Sequence, residues 1–179
     1  MSTDFYFVFD VESIGLHGEG FAVGFVVLDR LGNTIEQRKF ACPPWHAQGD
    51  FNDRQWVKLN CPLIMATHDW PVDVRAAFWE RWAEWQKRGA LLLADCFWPV
   101  EARFLSQCID DDAQRKAQAP YPLIDLATLL FGQGKVPCAT LDRRETELPV
   151  HDPLADARQS ARILIDVLLD QEPAPVRNP

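Results

Sequence analysis

Apolar residues fall along this chain in short continuous runs at first and at helical spacing later. Residues 5–12 are dominated by aromatic and β-branched types and read as a buried strand. Residues 21–28 (FAVGFVVL) read as a second. Asp29-Arg-Leu-Gly-Asn33 supplies the Gly and Asn of a tight turn, and residues 34–41 return as a third. The pattern predicts an antiparallel meander that follows the first strand.

Residues 42–70 break this regularity with Pro43, Pro44, three Trp and two His. They read as an irregular excursion with one short helix over 53–59. Pro71 suits a first helical position, and Val74, Phe78, Trp82 and Trp85 recur at helical spacing towards Gly89, a C-terminal stop. Residues 90–94 (ALLLA) form another buried strand, and Pro99 can start a helix that carries Phe104 and Leu105. A strand-like segment is expected near 122–126, after the polar stretch 110–118. The last helix spans 153–169, with Leu154, Ala157, Ala161, Leu164 and Leu168 on one face. Together these elements predict one α/β domain over residues 1–170. Its mixed sheet joins the three-strand antiparallel meander to parallel strands and is flanked by helices. The Pro-rich stretch 171–179 reads as a disordered tail.

Composition narrows the possibilities. With 179 residues, 47% of them apolar, the chain suits one well-packed domain and is too short for two. No apolar segment approaches the roughly 18–20 residues of a bilayer span, so no membrane association is expected. The run Phe5–Phe9 is brief and bounded by Asp4 and Asp10, unlike a signal peptide. Cys42, Cys61, Cys96, Cys108 and Cys138 are odd in number and never spaced Cys-x-x-Cys. That speaks against a disulfide framework or zinc knuckle and for a reducing cytoplasm. A formal charge of −8 disfavours tight binding of long duplexes, which depends on Lys and Arg neutralising phosphates. The nearest basic block, Arg143-Arg144, is followed by Glu145 and Glu147. Engagement of a short nucleic-acid end through bound metal ions remains compatible with such a surface.

Three separated acidic pieces carry the candidate chemistry. Asp10 and Glu12 lie two residues apart on a strand, so they project from one face about 6.6 Å apart. Ser13, Gly15 and Leu16 follow, a small hydroxyl, a glycine permitting close approach of a nucleotide, and an apolar side chain able to wedge against a terminal base. His151 precedes Asp152 and Pro153, an N-cap and first-turn pair, and Asp156 falls in the opening turns of the last helix. An imidazole there could deprotonate a water. For the middle acid two residues compete: Asp95, slightly favoured because it ends the 90–94 strand, and Glu101, in the first turn of the following helix. Each piece alone has an ordinary reading: a strand ending in solvated acids, a loop, a capped helix with incidental charges. The ordered set suggests a two-metal phosphodiester-cleaving site. Trp82 and Trp85 are expected in the core, whereas Trp45, Trp56, Trp70 and Trp98, at loops or element edges, are candidate stacking surfaces.

The ordered set resembles the DEDDh subgroup of 3′–5′ exonucleases, which share a ribonuclease H-like fold. Asp10-Val-Glu12-Ser-Ile-Gly15-Leu16 is similar to its first motif. His151-Asp-Pro-Leu154-Ala-Asp156-Ala157 is similar to its last, with histidine, leucine, aspartate and alanine all in register. Val100-Glu101-Ala-Arg-Phe104-Leu105 matches the second motif with Glu in place of Asp; alternatively Asp95 supplies that acid. Ile124-Asp125-Leu126 resembles the strand that follows, with Asp125 read as structural. The resemblance implies two divalent cations, Mg²⁺ or Mn²⁺, held by Asp10, Glu12, Asp156 and either Asp95 or Glu101, with His151 as base. It also implies release of 5′-mononucleotides from the 3′ end of short RNA or single-stranded DNA, and a homodimer as a candidate assembly. The Gln55-Trp-Val-Lys-Leu-Asn60 segment resembles a small exoribonuclease branch and tilts the expectation towards RNA. The alternative is a catalytically impaired nucleic-acid-binding or scaffold protein that kept the fold.

Overall fold

A computed structural model describes residues 4–135 and 142–169; Cys138 and the 171–179 tail lie outside the described residues. Three strands open the chain: β1 (Phe5–Ser13), β2 (Gly20–Asp29) and β3 (Thr34–Ala41). Helices α1 (Phe51–Asn60) and α2 (Pro71–Lys87) lead to β4 (Leu91–Ala94) and α3 (Val100–Asp111). The two-residue β5 (Ile124–Asp125), α4 (Leu126–Gly132) and α5 (Pro153–Leu169) complete the order. The sheet runs β3-β2-β1-β4-β5, antiparallel on the β3 and β2 side of β1 and parallel on the β4 and β5 side. This is the mixed sheet expected from the sequence. Among the described residues no helix is long and apolar enough to cross a membrane.

The period of two along β1 assigns its side chains to two different layers. Phe7, Phe9 and Val11 enter the larger core with Phe25, Phe78, Trp82 and Phe104, beneath α2 and α3. Phe7 stacks on Phe25 with ring centroids 4.5 Å apart and meets Phe78 and Trp82 edge-on at 5.7 and 5.8 Å. Each such buried aromatic contributes about 1.5–3 kcal/mol, so this face anchors the domain. Val8 enters the second core with Val26, Leu93, Leu126, Ala157, Ala161 and Leu164, beneath α4 and α5. By the same alternation Asp10 and Glu12 face the α5 side, where β1 runs past the end of β4 at the Phe9–Ala94 pair. A register shift between Glu12 and Ser13 marks the end of the β1–β2 ladder.

Charged clamps hold the loops around the sheet end. The buried Arg75 of α2 donates to Glu19 at 2.7 Å and to both oxygens of Asp111 at 2.5 and 3.0 Å. Glu19 also accepts from the Gln48 amide at 2.9 Å, which ties the β1–β2 loop to the segment before α1.

The excursion is more ordered than the pattern suggested. Helix α1 covers Phe51–Asn60, capped by Asp50, which accepts from the Asp53 amide at 2.9 Å. Trp56 therefore lies within a helix, not in a loop or at an edge. The expected strand over 122–126 is reduced to Ile124–Asp125, because Asp125 accepts from the Thr128 amide at 2.6 Å and starts α4. Seven residues give no readable helical period, so the sequence pattern does not contain α4. Asp125 also accepts from the Phe97 amide at 3.1 Å, the structural role expected of it. Trp79 joins Trp82 and Trp85 among the buried side chains.

One glycine decides where α5 begins. Gly24 pairs with Asp10 across the β1–β2 ladder, and a Cβ there would overlap the Leu154 amide nitrogen and the Pro153 carbonyl. The first turn of α5 thus rests directly on β2. Gly24→Ala is expected to lower unfolding stability by about 1–3 kcal/mol, the usual cost of overpacking, as measured by urea denaturation. A variant as stable as the parent would show that α5 is seated by other contacts.

Candidate active site

Asp10 lies partly buried on β1, just past its last pair with β4. One of its carboxylate oxygens, Oδ2, is buried without a hydrogen-bond partner. Glu12 is also buried, and its Oε2 is approached by the Cys61 thiol at 3.8 Å. Beyond the last β1–β4 pair, the Val11 amide donates to Glu101 Oε1 at 3.3 Å. That contact pulls the first turn of α3 to the sheet end and buries Glu101 as deeply as Glu12.

The start of α5 brings the last pair. Asp152 Oδ1 accepts from the Leu154 and Ala155 amides at 3.0 and 3.2 Å, and its other oxygen meets Lys39 of β3. His151, just before this cap, has φ of 63°, a left-handed conformation unusual for a residue with a side chain. In it the His151 amide donates to Asp156 Oδ2 at 3.1 Å, while the imidazole Nδ1 lies 3.8 Å from Glu12 Oε1. Donor atoms of Glu12, His151 and Asp156 all fall within 4.8 Å of one another. Trp56 places its ring edge-to-face with His151, centroids 5.0 Å apart.

The electrostatics follow from burying like charges together. Burial raises the Asp10 pKa well above the usual carboxylate range, and Glu101, Glu12, Asp156 and Asp95 raise it further, in that order. Burial and the Asp156 charge push Glu12 up to about 8, against a smaller opposing pull from the Cys61 hydrogen bond. Burial pushes Glu101 to about 7, although its own helix amide and that of Val11 favour the charged form. Burial likewise raises Asp156, opposed by its hydrogen bond and ion pair with Arg143. Asp95 is raised by burial, then by Asp125 and Asp156. Of the two middle acids, Glu101 presses harder on Asp10.

The donor set is oxygen-rich with one imidazole, the chemistry of a hard divalent cation such as Mg²⁺ or Mn²⁺. An unpartnered Asp10 oxygen among four further acids fits such an ion, which would supply the missing positive charge. The three residues of the adjoining loop are arranged differently. Ser13 Oγ donates to the Gly15 carbonyl at 2.7 Å and braces the turn rather than pointing into the cluster. Gly15 has φ of 68°, and the Asp53 carboxylate of α1 fills the space a Cβ would need. Leu16 projects outward, 65% exposed. Trp45, Trp70 and Trp98 are exposed as well.

Two neighbours of the site, Arg143 and Cys61, escape a reading of the sequence, and a third, Trp56, is signalled there only as a stacking surface. Arg143 donates to Asp156 Oδ1 and to the Glu147 carbonyl, the latter at 3.0 Å. Trp56, midway along α1, reaches His151, and Cys61, at the C-terminal cap of α1, reaches Glu12. None has a spacing relation to the acidic motifs, and the Arg143-Arg144 doublet is too short to signal anything by itself.

With this geometry the class of fold is defined: it is the ribonuclease H-like fold found in 3′-exonucleases. A full-length 3′-exonuclease superposes with a TM-score of 0.64 at 18% identity, over 95% of this chain and 84% of its own. A 3′-exonuclease solved with 3′-end recognition of a histone mRNA stem-loop gives 0.63 at 17% identity, over 94% of this chain and 65% of its own. The zinc-bound complex of E. coli ExoI with single-stranded DNA gives 0.62 at 14% identity, over 95% of this chain and 41% of its own. The chain thus spans less than half the length of ExoI and just under two thirds of the stem-loop enzyme. No family model matches the chain, and no curated protein matches it in sequence.

The pKa shifts fix a sign for the pH dependence of the metal-free protein. Glu12 and Glu101 are harder to ionise when folded, so their contribution is full below about pH 4.5 and is lost as pH rises towards about 7–8. In chelator, urea denaturation should therefore show stability falling from pH 5 to pH 8. Asp10→Asn should raise stability at pH 8 by removing the acid whose ionisation burial and its neighbours oppose. A flat profile for both proteins would contradict this account of the cluster.

Proposed function

We propose that this protein is a metal-dependent 3′–5′ exonuclease of the DEDDh type, trimming 5′-mononucleotides from short RNA or single-stranded DNA ends. The observation that carries the reading is the convergence of Asp10, Glu12, Glu101 and Asp156 around an unpartnered buried oxygen, with the His151 imidazole 3.8 Å from Glu12. Asp10, Glu12 and Asp156 would hold two divalent cations, Mg²⁺ or Mn²⁺. Glu101 is preferred to Asp95 as the fourth acid, since it is the more deeply buried and acts more strongly on Asp10. Bound cations would polarise the scissile phosphate and lower the pKa of an attacking water.

The remaining roles belong to the chain. His151, half-exposed at the rim, would accept the proton of that water, its ring held by the strained backbone and by the edge of Trp56. Leu16, exposed in the loop after β1, would rest against the terminal base, while Gly15 gives that loop its left-handed turn against Asp53. The RNA tilt rests on the resemblance of the α1 sequence to a small exoribonuclease branch. A formal charge of −8 suits short ends better than long duplexes.

Incubating the protein with 3′- and 5′-labelled RNA and DNA oligomers, with and without Mn²⁺, tests the reading directly. A 5′-labelled ladder shortening stepwise only with Mn²⁺ is expected; uniform internal cuts, or no cleavage, would refute it. Asp10→Asn and Asp156→Asn should each lower the rate by at least about a thousandfold. His151→Ala should lose about two to four orders of magnitude near neutral pH, the usual contribution of a general base, and flatten the pH–rate profile. Glu101→Gln should cost far more than Asp95→Asn; the reverse order would return the fourth position to Asp95.

A further inference from the structure

Among the described residues, one cation bonded to the acids of the site, Arg143, is not used by the proposed chemistry. Arg143 lies 22% exposed at the cluster's edge and donates to Asp156 Oδ1 through the same guanidinium nitrogen that reaches the Glu147 carbonyl. Its charge is felt by both Asp156 and Asp95. The other oxygen of Asp156 is taken by the His151 amide, so both oxygens of this carboxylate are already engaged. A metal ion reaching Asp156 therefore has to contend with a positive charge bonded to the same residue.

The manner in which Arg143 is held differs from that of the structural arginines. Arg75 and Arg162 grip their carboxylates with two nitrogens each, at 2.5 and 3.0 Å to Asp111 and at 2.6 and 2.9 Å to Glu147. Arg143 makes a one-nitrogen contact to a carboxylate and another to a neutral carbonyl. Its backbone is nonetheless anchored, because the Arg144 amide donates to Glu147 Oε2 at 2.9 Å and Glu147 is buried against Arg162. Leaving Asp156 would cost the guanidinium a single-nitrogen contact to a carboxylate, and the Arg144–Glu147 anchor does not depend on that contact. Guanidinium geometry suits a phosphate as well as it suits a carboxylate.

We infer that Arg143 is a displaceable counter-cation: it competes with the divalent metal for Asp156 and, once displaced, turns to a phosphate of the nucleic-acid substrate. Arg143 is in these terms a positioning residue for the empty site and a substrate contact for the loaded one. The inference rests on the metal-dependent reading of the same site.

Calorimetric titration with Mn²⁺ alone, without nucleic acid, separates the two. Arg143→Met should bind Mn²⁺ at least about tenfold more tightly than the parent, because a like charge a few ångströms away has gone. Arg143→Lys, which keeps the charge, should stay close to the parent. On a five-nucleotide oligomer under saturating Mn²⁺, Arg143→Met should raise KM about tenfold with a smaller change in kcat. Equal or weaker Mn²⁺ binding by a folded Arg143→Met would overturn the inference while leaving the metal site standing. A parent protein that binds no Mn²⁺ would overturn the metal site and this inference together. Should Arg143→Met fail to fold, Arg143→Gln, which retains a donor for the Glu147 carbonyl, carries the same comparison with the same outcomes.

Discussion

Mutual repulsion among buried carboxylates is the constraint around which this domain is organised. Asp10, Glu12, Glu101 and Asp156 are drawn together out of bulk water; burial makes all four harder to ionise, and their neighbours' charges add to this at Asp10 and Glu12. Such a cluster is costly by itself, so the surrounding fold has to hold it in place. The aromatic layer on the opposite face of β1, from Phe7 and Phe9 to Phe78 and Trp82, provides that stability at a distance from the charges. Separation of tasks between the two faces of one central strand follows from its two-residue period.

Local hydrogen bonding then aims each acid. Val11, past the last β4 pairing, offers an amide that Glu101 takes up, and this draws α3 towards the cluster. Asp152 caps α5 and leaves His151 outside the helix in a left-handed conformation, from which its amide fixes Asp156 and its ring faces Glu12. Helix α1 closes the remaining side through Asp53 and Trp56, together with Cys61 at its C-terminal cap. The acids are thus positioned by four separate elements that share no direct contact in sequence.

Much of this is legible in the amino-acid pattern itself. Strong periodicities marked the meander, α2, β4 and α5, because each buries a continuous stripe. The Asp10-Glu12 and His151-Asp156 spacings encode a strand face and a helix start, and those are local geometries. Gly24 gave no signal, since its role depends on a backbone crossing from more than a hundred residues away. The same holds for Arg143 and Cys61, whose partners are set by tertiary packing alone. Helix α4 was hidden for a different reason: seven residues starting from an Asp125 cap are too few for a periodic pattern. The contest between Asp95 and Glu101 could not be decided from residue type, because what separates them is how far tertiary packing buries each.

The contact at Gly24 has a consequence for how the domain responds to its surroundings. Backbone resting on backbone is indifferent to protonation, salt or bound ions, unlike every polar link that joins the acids. The limb bearing the imidazole is therefore fixed by shape, while the groups it faces are free to gain or lose charge. Ionic events can pass through the pocket without dislodging its frame.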